Sequence, residues 1–404
     1  MTQRSSVDIG TILKNTMKVI RTPWIASRLA ALETDKMLFD FIPPRAATGL
    51  GRSIRQLSIR ITDICNLRCH TCGQWGDQGF LHGRNLKELK SKEVSPERYL
   101  ALLDDLHRHG QHPNVYLWGG EPTLYSGWMD IIRRATALRM PTAIATNATG
   151  VADVAEDLVQ APMFLLQISI DGHDAATHNA ARPAAGGGDN HATVLRALEA
   201  VREAKNRQRR KLPLVAALCT ISEVNARHIM DVYEAYKDKV DLFVFYLSWW
   251  IDPASAQAHE QDFARRFGFV PTLHRGWIGD WTVRDAALLD RELAAVRRRA
   301  RPFGMTPVTV IPDIRGAHNL NTYYGDHAAT FGFERCISIF HAVELDANGD
   351  MSPCRDYHDY VVGNVQEQTI TELWNNERFK RFRQSVHADG LMPVCTRCCG
   401  LMGY

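Results

Sequence analysis

Three cysteines stand close together in the segment "CNLRCHTC": Cys65, Cys69 and Cys72, spaced C-x3-C-x2-C. Thiolates are soft ligands, and three on one tight loop can converge on zinc or on an iron–sulfur cluster. Three is one fewer than a tetrahedral site closes with, so this set leaves a coordination position open. A second group lies near the C-terminus: Cys336, Cys354, Cys395 and Cys398, with Cys399 beside the last. Four thiolates complete a ligand shell without outside help. Cys219 stands alone between the groups. The nine cysteines are odd in number and unevenly placed. The opening residues lack the apolar core and cleavage site of a secretory signal, so a reducing cytoplasm is the expected compartment. There, clustered cysteines point to metal before disulfide.

These cysteines must be held by regular elements, and the chain alternates. Strands are expected over 55–62, 114–120, 141–147, 164–171, 212–221 and 240–250. Helices are expected over 95–110 (with Ser95 as N-cap), 126–139, 151–160, 191–207 and 225–238. Apolar strands separated by helices read as parallel βαβ units. The expected fold class is α/β, a partial (β/α)6 barrel of the TIM type with a small C-terminal domain. The boundaries that follow are an N-terminal helical extension over 1–50, the barrel over 51–250, a pocket and linker region over 251–335, and the cysteine-rich domain over 336–404. A basic amphipathic helix over 7–42 either packs on the domain behind it or touches a membrane surface. The segment "ARPAAGGGDN" reads as a flexible loop. A formal net charge of +3 gives no sign of a nucleic-acid partner. No stretch approaches the roughly 18 uninterrupted apolar residues of a membrane span.

Each candidate motif falls just after an expected strand, where parallel α/β folds bind ligands. The three cysteines follow the first strand, "GGEPTL" (119–124) the second, and "TNATG" (146–150) the third; "SIDG" (169–172) finishes the fourth. Cys65, Cys69 and Cys72 followed by Gly119-Gly120-Glu121-Pro122 resemble the radical S-adenosylmethionine (SAM) superfamily. The resemblance implies a [4Fe–4S] cluster on the three cysteines, with SAM chelating the fourth iron. It implies an electron from a donor such as flavodoxin or ferredoxin, homolysis of SAM, and hydrogen abstraction by a 5'-deoxyadenosyl radical. It further implies that Gly119, Gly120, Glu121 and Pro122 hold the SAM amino group and that Asn147 lies near the adenosine. Ser169 and Asp171 would contact ribose or carboxylate, and Arg182, in "HNAAR", would pair with a carboxylate. Thr71 departs from the family habit of an aromatic residue before the third cysteine.

The tail, with "VELDANGDMSPC", "GNV", "LWNNERFKRFR" and a closing C-x2-C pair, resembles the SPASM/Twitch extension. That resemblance implies one auxiliary [4Fe–4S] cluster on Cys336, Cys354, Cys395 and Cys398; a structural zinc on the same four is the other reading. Cys219 is either a buried inert thiol or a hydrogen-atom donor. Tyr246, Trp249 and Trp250, with Trp277, Trp281, Tyr323 and Tyr324, either pack in the core or wall a substrate pocket. Together these features imply an oxidoreductase-type radical enzyme acting on a small molecule of specialised biosynthesis, with a peptide as the other substrate class. The alternatives are a redox-neutral epimerase or rearrangement enzyme using Cys219, and a zinc-stabilised binding protein without chemistry.

Overall fold

The computed structural model describes residues 47–161, 163–301 and 305–402, with Ser27, Ala30 and Thr34. Apart from those three positions, the helix expected over 7–42 lies outside the described residues.

One ten-stranded sheet runs through the molecule. Its strands are β1 Gln56–Thr62, β2 Asn114–Gly119, β3 Thr142–Thr146, β4 Leu165–Ser169, β5 Leu214–Ile221, β6 Leu242–Leu247, β7 Val308–Ile311, β8 Ala342–Leu345, β9 Asp350–Ser352 and β10 Gly363–Asn364. From β1 to β7 neighbours pair in parallel in chain order. The six expected strands are all present, and one further strand joins each end: β7 beside β6, and β8 parallel to β1. The antiparallel β9 and β10 continue from β8. The sheet therefore crosses the boundaries drawn at 250 and 336, making a partial α/β barrel whose first strand carries the C-terminal domain.

The helices are α1 Leu86–Ser91, α2 Pro96–Arg108, α3 Trp128–Ala137, α4 Ala155–Gln160, α5 Ala175–Ala181, α6 Asn190–Arg207, α7 Ile229–Tyr236, α8 Pro253–Phe267, α9 Ala286–Ala300, α10 Ala317–Gly325, α11 Ile370–Leu373, α12 Glu377–Asp389 and α13 Cys399–Met402. Local chemistry sets their ends. Ser95 caps α2 by accepting from the Arg98 N–H, and Asp189 caps α6 from Ala192. In α8, Asp252 caps the start and Gly268, at φ +86°, ends it. Strand alternation sorts side chains between two layers. In β4, Leu166 and Ile168 are buried in the layer beneath the helices, whereas Gln167 and Ser169 face the other side. No helix among the described residues is long and apolar enough to cross a membrane.

Candidate functional site

Cys65, Cys69 and Cys72 occupy the turn after β1, at the carboxyl end of the strand. The Leu67 N–H points at Cys65 Sγ (3.4 Å) and the Trp75 N–H at Cys72 Sγ (3.4 Å). Trp75 Nε1 donates to Asp63 O (2.7 Å) and its ring lies under the Arg68 guanidinium (4.2 Å), so the loop is braced from within. A second brace is the "flexible" segment of the sequence. Arg68 N donates to Pro183 O (2.7 Å) and Ala185 N to Asn66 O (2.9 Å), with an isolated bridge between Leu67 and Ala184. The start of "ARPAAGGGDN" is thus fixed against the cysteine loop, because its backbone groups find partners there.

The turn after β2 lies directly on the first cysteine. Gly120 N donates to Thr62 O (2.8 Å) and Glu121 N to Ile64 O (2.7 Å). A Cβ on Gly120 would stand 2.2 Å from Ile64 O, and Gly119 adopts φ +141°, so both positions demand glycine. The Glu121 side chain turns inward. Its Oε1 accepts from Thr123 N (3.0 Å), Thr123 Oγ1 (2.7 Å) and Thr146 Oγ1 (2.6 Å), and its Oε2 from Asn147 N (2.7 Å). Burial raises its pKa, opposed by these donors. The carboxylate therefore joins the turns after β2 and β3. Pro122 opens a short 3-10 turn behind it.

Asn147 donates through Nδ2 to Asn66 Oδ1 (2.8 Å), and its carbonyl accepts from Asn190 Nδ2 (3.0 Å). His178 in turn contacts Asn190 Oδ1 (2.9 Å). Sequence patterns did not single out Asn66 or Asn190, whereas His178 opens the segment "HNAAR"; Asn66 and Asn190 are tied directly to Asn147, and His178 through Asn190. Ser169 ends β4 on the side away from the helices. Asp171 accepts from Thr220 N (2.7 Å) and pairs with Arg182 Nη1 (2.8 Å). Arg182 thus has its carboxylate partner inside the protein. Burial opposes its charge, but neighbouring Cys69 and Asp171 outweigh that and hold it above its ordinary value.

Burial also pushes the Cys65 thiol up to about 12 and Cys69 to about 11, with Arg182 pulling Cys69 the other way. Metal ligation must displace those protons.

The four C-terminal cysteines assemble from three places: before β8, after β9, and the last turns. Burial raises the thiols of Cys336, Cys354 and Cys395; Cys336 and Cys395 add to the effect at Cys354, and Cys336 adds to it at Cys395, which reaches about 12. Cys398 donates to Asp356 Oδ2 (2.9 Å), and Gly400 N points at its sulfur (3.2 Å). Between the last pair, Arg397 is buried and donates to the carbonyls of Tyr323 (2.8 Å), Asp326 (2.5 Å) and Ala329 (2.9 Å), pinning the turn to the end of α10. The Cys399 side chain lies outside the described atoms.

Among the described residues, no three cysteine sulfurs fall within 4.8 Å of one another. A single tetrahedral zinc with Zn–S near 2.3 Å would draw them to about 3.8 Å. The all-thiolate donor sets fit iron–sulfur clusters at both places.

Trp277 joins the two sites. A Cβ on Gly73 would stand 2.3 Å from its ring, it stacks on Trp249 (centroids 4.0 Å), and its Nε1 donates to Asp356 O (3.3 Å). Trp250 packs on His327 (4.3 Å), and Ser248 Oγ donates to Trp281 O (2.6 Å). Tyr323 and Tyr324 are buried in the core. Of the expected aromatic wall, Tyr246 alone lines the cavity of about 260 Å³ described here. Tyr116, Gln167, Arg355 and Gly400 also border it.

Cys219 is placed differently from a cavity-facing donor. In β5, Leu218 and Thr220 are partly exposed, while Cys219 is fully buried with Ala217 and Ile221 in the layer beneath the helices. Its sulfur meets Asn225 Nδ2 at 3.7 Å. The two-residue period of a strand puts adjacent side chains on opposite faces, and Cys219 falls on the closed one.

This architecture agrees with comparison to known proteins. Residues 59–235 match the radical SAM superfamily and residues 336–399 an iron–sulfur cluster-binding domain of the SPASM type. The chain thus carries a radical SAM domain and a SPASM domain. It is similar to the AdoMet-dependent heme synthase of Methanosarcina barkeri, with 24% identity over 84% of this chain and 88% of the relative. It is also similar to the pre-heme d1 synthase of Dinoroseobacter shibae, with 27% identity over 83% of this chain and 76% of the relative. In fold it resembles Streptococcus suis SuiB bound to the precursor peptide SuiA, with a TM-score of 0.56 and 14% identity over 89% of this chain and 70% of that one. The chain is therefore an enzyme of the class that uses a SAM-bound [4Fe–4S] cluster, with further iron–sulfur binding in its C-terminal domain.

Proposed function

We propose that this enzyme oxidises a small molecule held in the barrel lumen by two electrons. In net terms the substrate gives up two electrons and two protons, and the groups held by the two cysteine sets would supply the hydrogen-atom and electron acceptors. The observation that carries this reading is the pairing of a three-thiolate site with a separate four-thiolate site. When bound, the SAM-liganded cluster supplies hydrogen abstraction through a 5'-deoxyadenosyl radical, and the second [4Fe–4S] cluster supplies a one-electron acceptor.

The chain's own residues bind and orient. Cys65, Cys69 and Cys72 hold one cluster and leave one iron for SAM. Backbone groups of Gly119, Gly120, Glu121 and Pro122 would hold the amino group, with the Glu121 carboxylate bracing the turn. Asn147 and Ser169 lie toward the adenosine and ribose, and the Asp171–Arg182 pair sets the charge beside Cys69. Cys336, Cys354, Cys395 and Cys398 close the second cluster and leave no iron open, which supports electron acceptance over substrate binding there. Tyr116, Gln167 and Tyr246 border the cavity together with Arg355, whose guanidinium pairs with the Glu344 carboxylate (3.1 Å). The volume suits a small metabolite; the neighbour bound to a precursor peptide makes a peptide side chain the second candidate occupant.

Anaerobic reconstitution tests the reading. About eight irons per chain are expected, falling to about four when Cys65, Cys69 and Cys72 become alanine. Turnover of small-molecule and peptide libraries in D2O is expected to give an oxidised product without solvent deuterium at the abstracted carbon. A product of unchanged oxidation level carrying solvent deuterium would overturn the oxidative step, and about four irons without SAM cleavage would overturn the two-cluster enzyme.

A further inference from the structure

Away from the cysteines, two loops at the carboxyl ends of the strands bring His173, His228 and Asp231 together. His173 follows Gly172 in the turn after β4, and His228 precedes α7 in the turn after β5. One nitrogen of each ring and one Asp231 oxygen all lie within 4.8 Å of one another. The two rings are 4.8 Å apart and inclined by 34°, and His228 Nδ1 lies 2.9 Å from Asp231 Oδ2.

The two nitrogens of His173 have different surroundings. Nε2 faces Asp174 Oδ2 at 3.4 Å, and Asp174 is itself fixed by accepting from Thr177 N (2.8 Å). Nδ1 is shut away from solvent and makes no hydrogen bond. A ring with one nitrogen beside a carboxylate and the other without a hydrogen bond, in a group whose ligand atoms converge, matches a metal-ligating histidine oriented by an outer carboxylate.

We propose that His173, His228 and Asp231 bind a divalent transition-metal ion of the zinc class, independently of the cysteine sites. Two imidazoles and one carboxylate suit zinc better than magnesium or calcium, which prefer all-oxygen shells. The Asp231 side chain is 56% exposed, so the remaining coordination positions face solvent and take water or an anionic group. The ion ties the loops after β4 and β5 together beside Asp171, which already accepts from the backbone of Thr220.

Calorimetric titration of the anaerobic, cluster-loaded full chain with Zn2+ tests this. One equivalent is expected to bind with Kd below about 10 μM, raising the thermal midpoint. His173→Ala and His228→Gln are each expected to weaken binding at least about tenfold, with iron content and the zinc-free midpoint as in the parent. Should either variant misfold, Asp231→Asn provides the milder substitution with the same expected weakening. Absence of the equivalent in the parent chain, or its persistence undiminished in the folded variants, overturns the site.

Discussion

Both oxygens of Glu121 are occupied within the protein, by two threonine hydroxyls and two backbone N–H groups. An acceptor-only group surrounded by donors is poorly replaced by an amide, whose NH2 would face another donor. Glu121→Gln is expected to lower stability by about 1–3 kcal/mol, read as an earlier anaerobic urea midpoint. An unchanged midpoint would show that the carboxylate does not brace the turn. The same scale separates residue type from residue role. Glu121 was legible in "GGEPTL" as a site residue, but only its partners reveal that its side chain binds the protein. Cys219 was legible as a lone thiol near a strand end. Its position on the helix-facing side depends on strand register, which a one-residue shift would reverse.

At the scale of elements, the site is held by connections that the pattern of apolar residues does not announce. The region over 251–335 loses the strand–helix rhythm, yet it contributes α8, α10 and Trp277. The cap signals of α8 were present, in Asp252-Pro253 and Gly268, but its buried face is only Ala256, His259, Phe263 and Phe267. Trp277 rests on Gly73, one residue beyond Cys72, where a methyl group would stand 2.3 Å from the ring. Gly73→Ala must therefore displace either the tryptophan or the cysteine loop. The expected cost is about 1–3 kcal/mol, with iron content after reconstitution falling toward that of the triple cysteine variant. Full iron loading and an unchanged midpoint would show that the loop tolerates the shift.

At the scale of the whole molecule, the C-terminal domain is attached through the barrel's first strand. β8 pairs with β1, and Asp346, just beyond β8, meets Arg60 of β1 at 3.4 Å. Arg383, fully buried, donates to Ile339 O (2.8 Å), Gly49 O (3.1 Å) and Asn375 Oδ1 (2.8 Å), fastening α12 to the segment before β8 and to the segment that leads into β1. Burial pushes the Asp346 carboxyl up to about 7; Arg60 opposes this, and Asp350 and Asp63 add to it. The folded state thus holds a proton that the unfolded chain releases near its ordinary value of about 3.9. This contribution is fully present below the unfolded value and is lost as pH rises through about 7. Asp346→Asn is expected to flatten the decline in stability between pH 5 and pH 8, measured by anaerobic denaturant unfolding. A decline as steep as in the parent would exclude Asp346 as its source.

The sequence by itself determined the ligand chemistry, the alternating α/β architecture and the two separate cysteine sets. Those depend on residue type, short-range spacing and local periodicity, all of which lie along the chain. Tertiary structure decided which way each side chain faces and which distant segments meet: Pro183 with the cysteine loop, Trp277 with Gly73 and Asp356, β8 with β1, and His173 with His228. Such meetings arise because buried backbone groups must find partners and apolar faces must find cover. Those partners are supplied by segments far apart in the chain, and no local pattern encodes them.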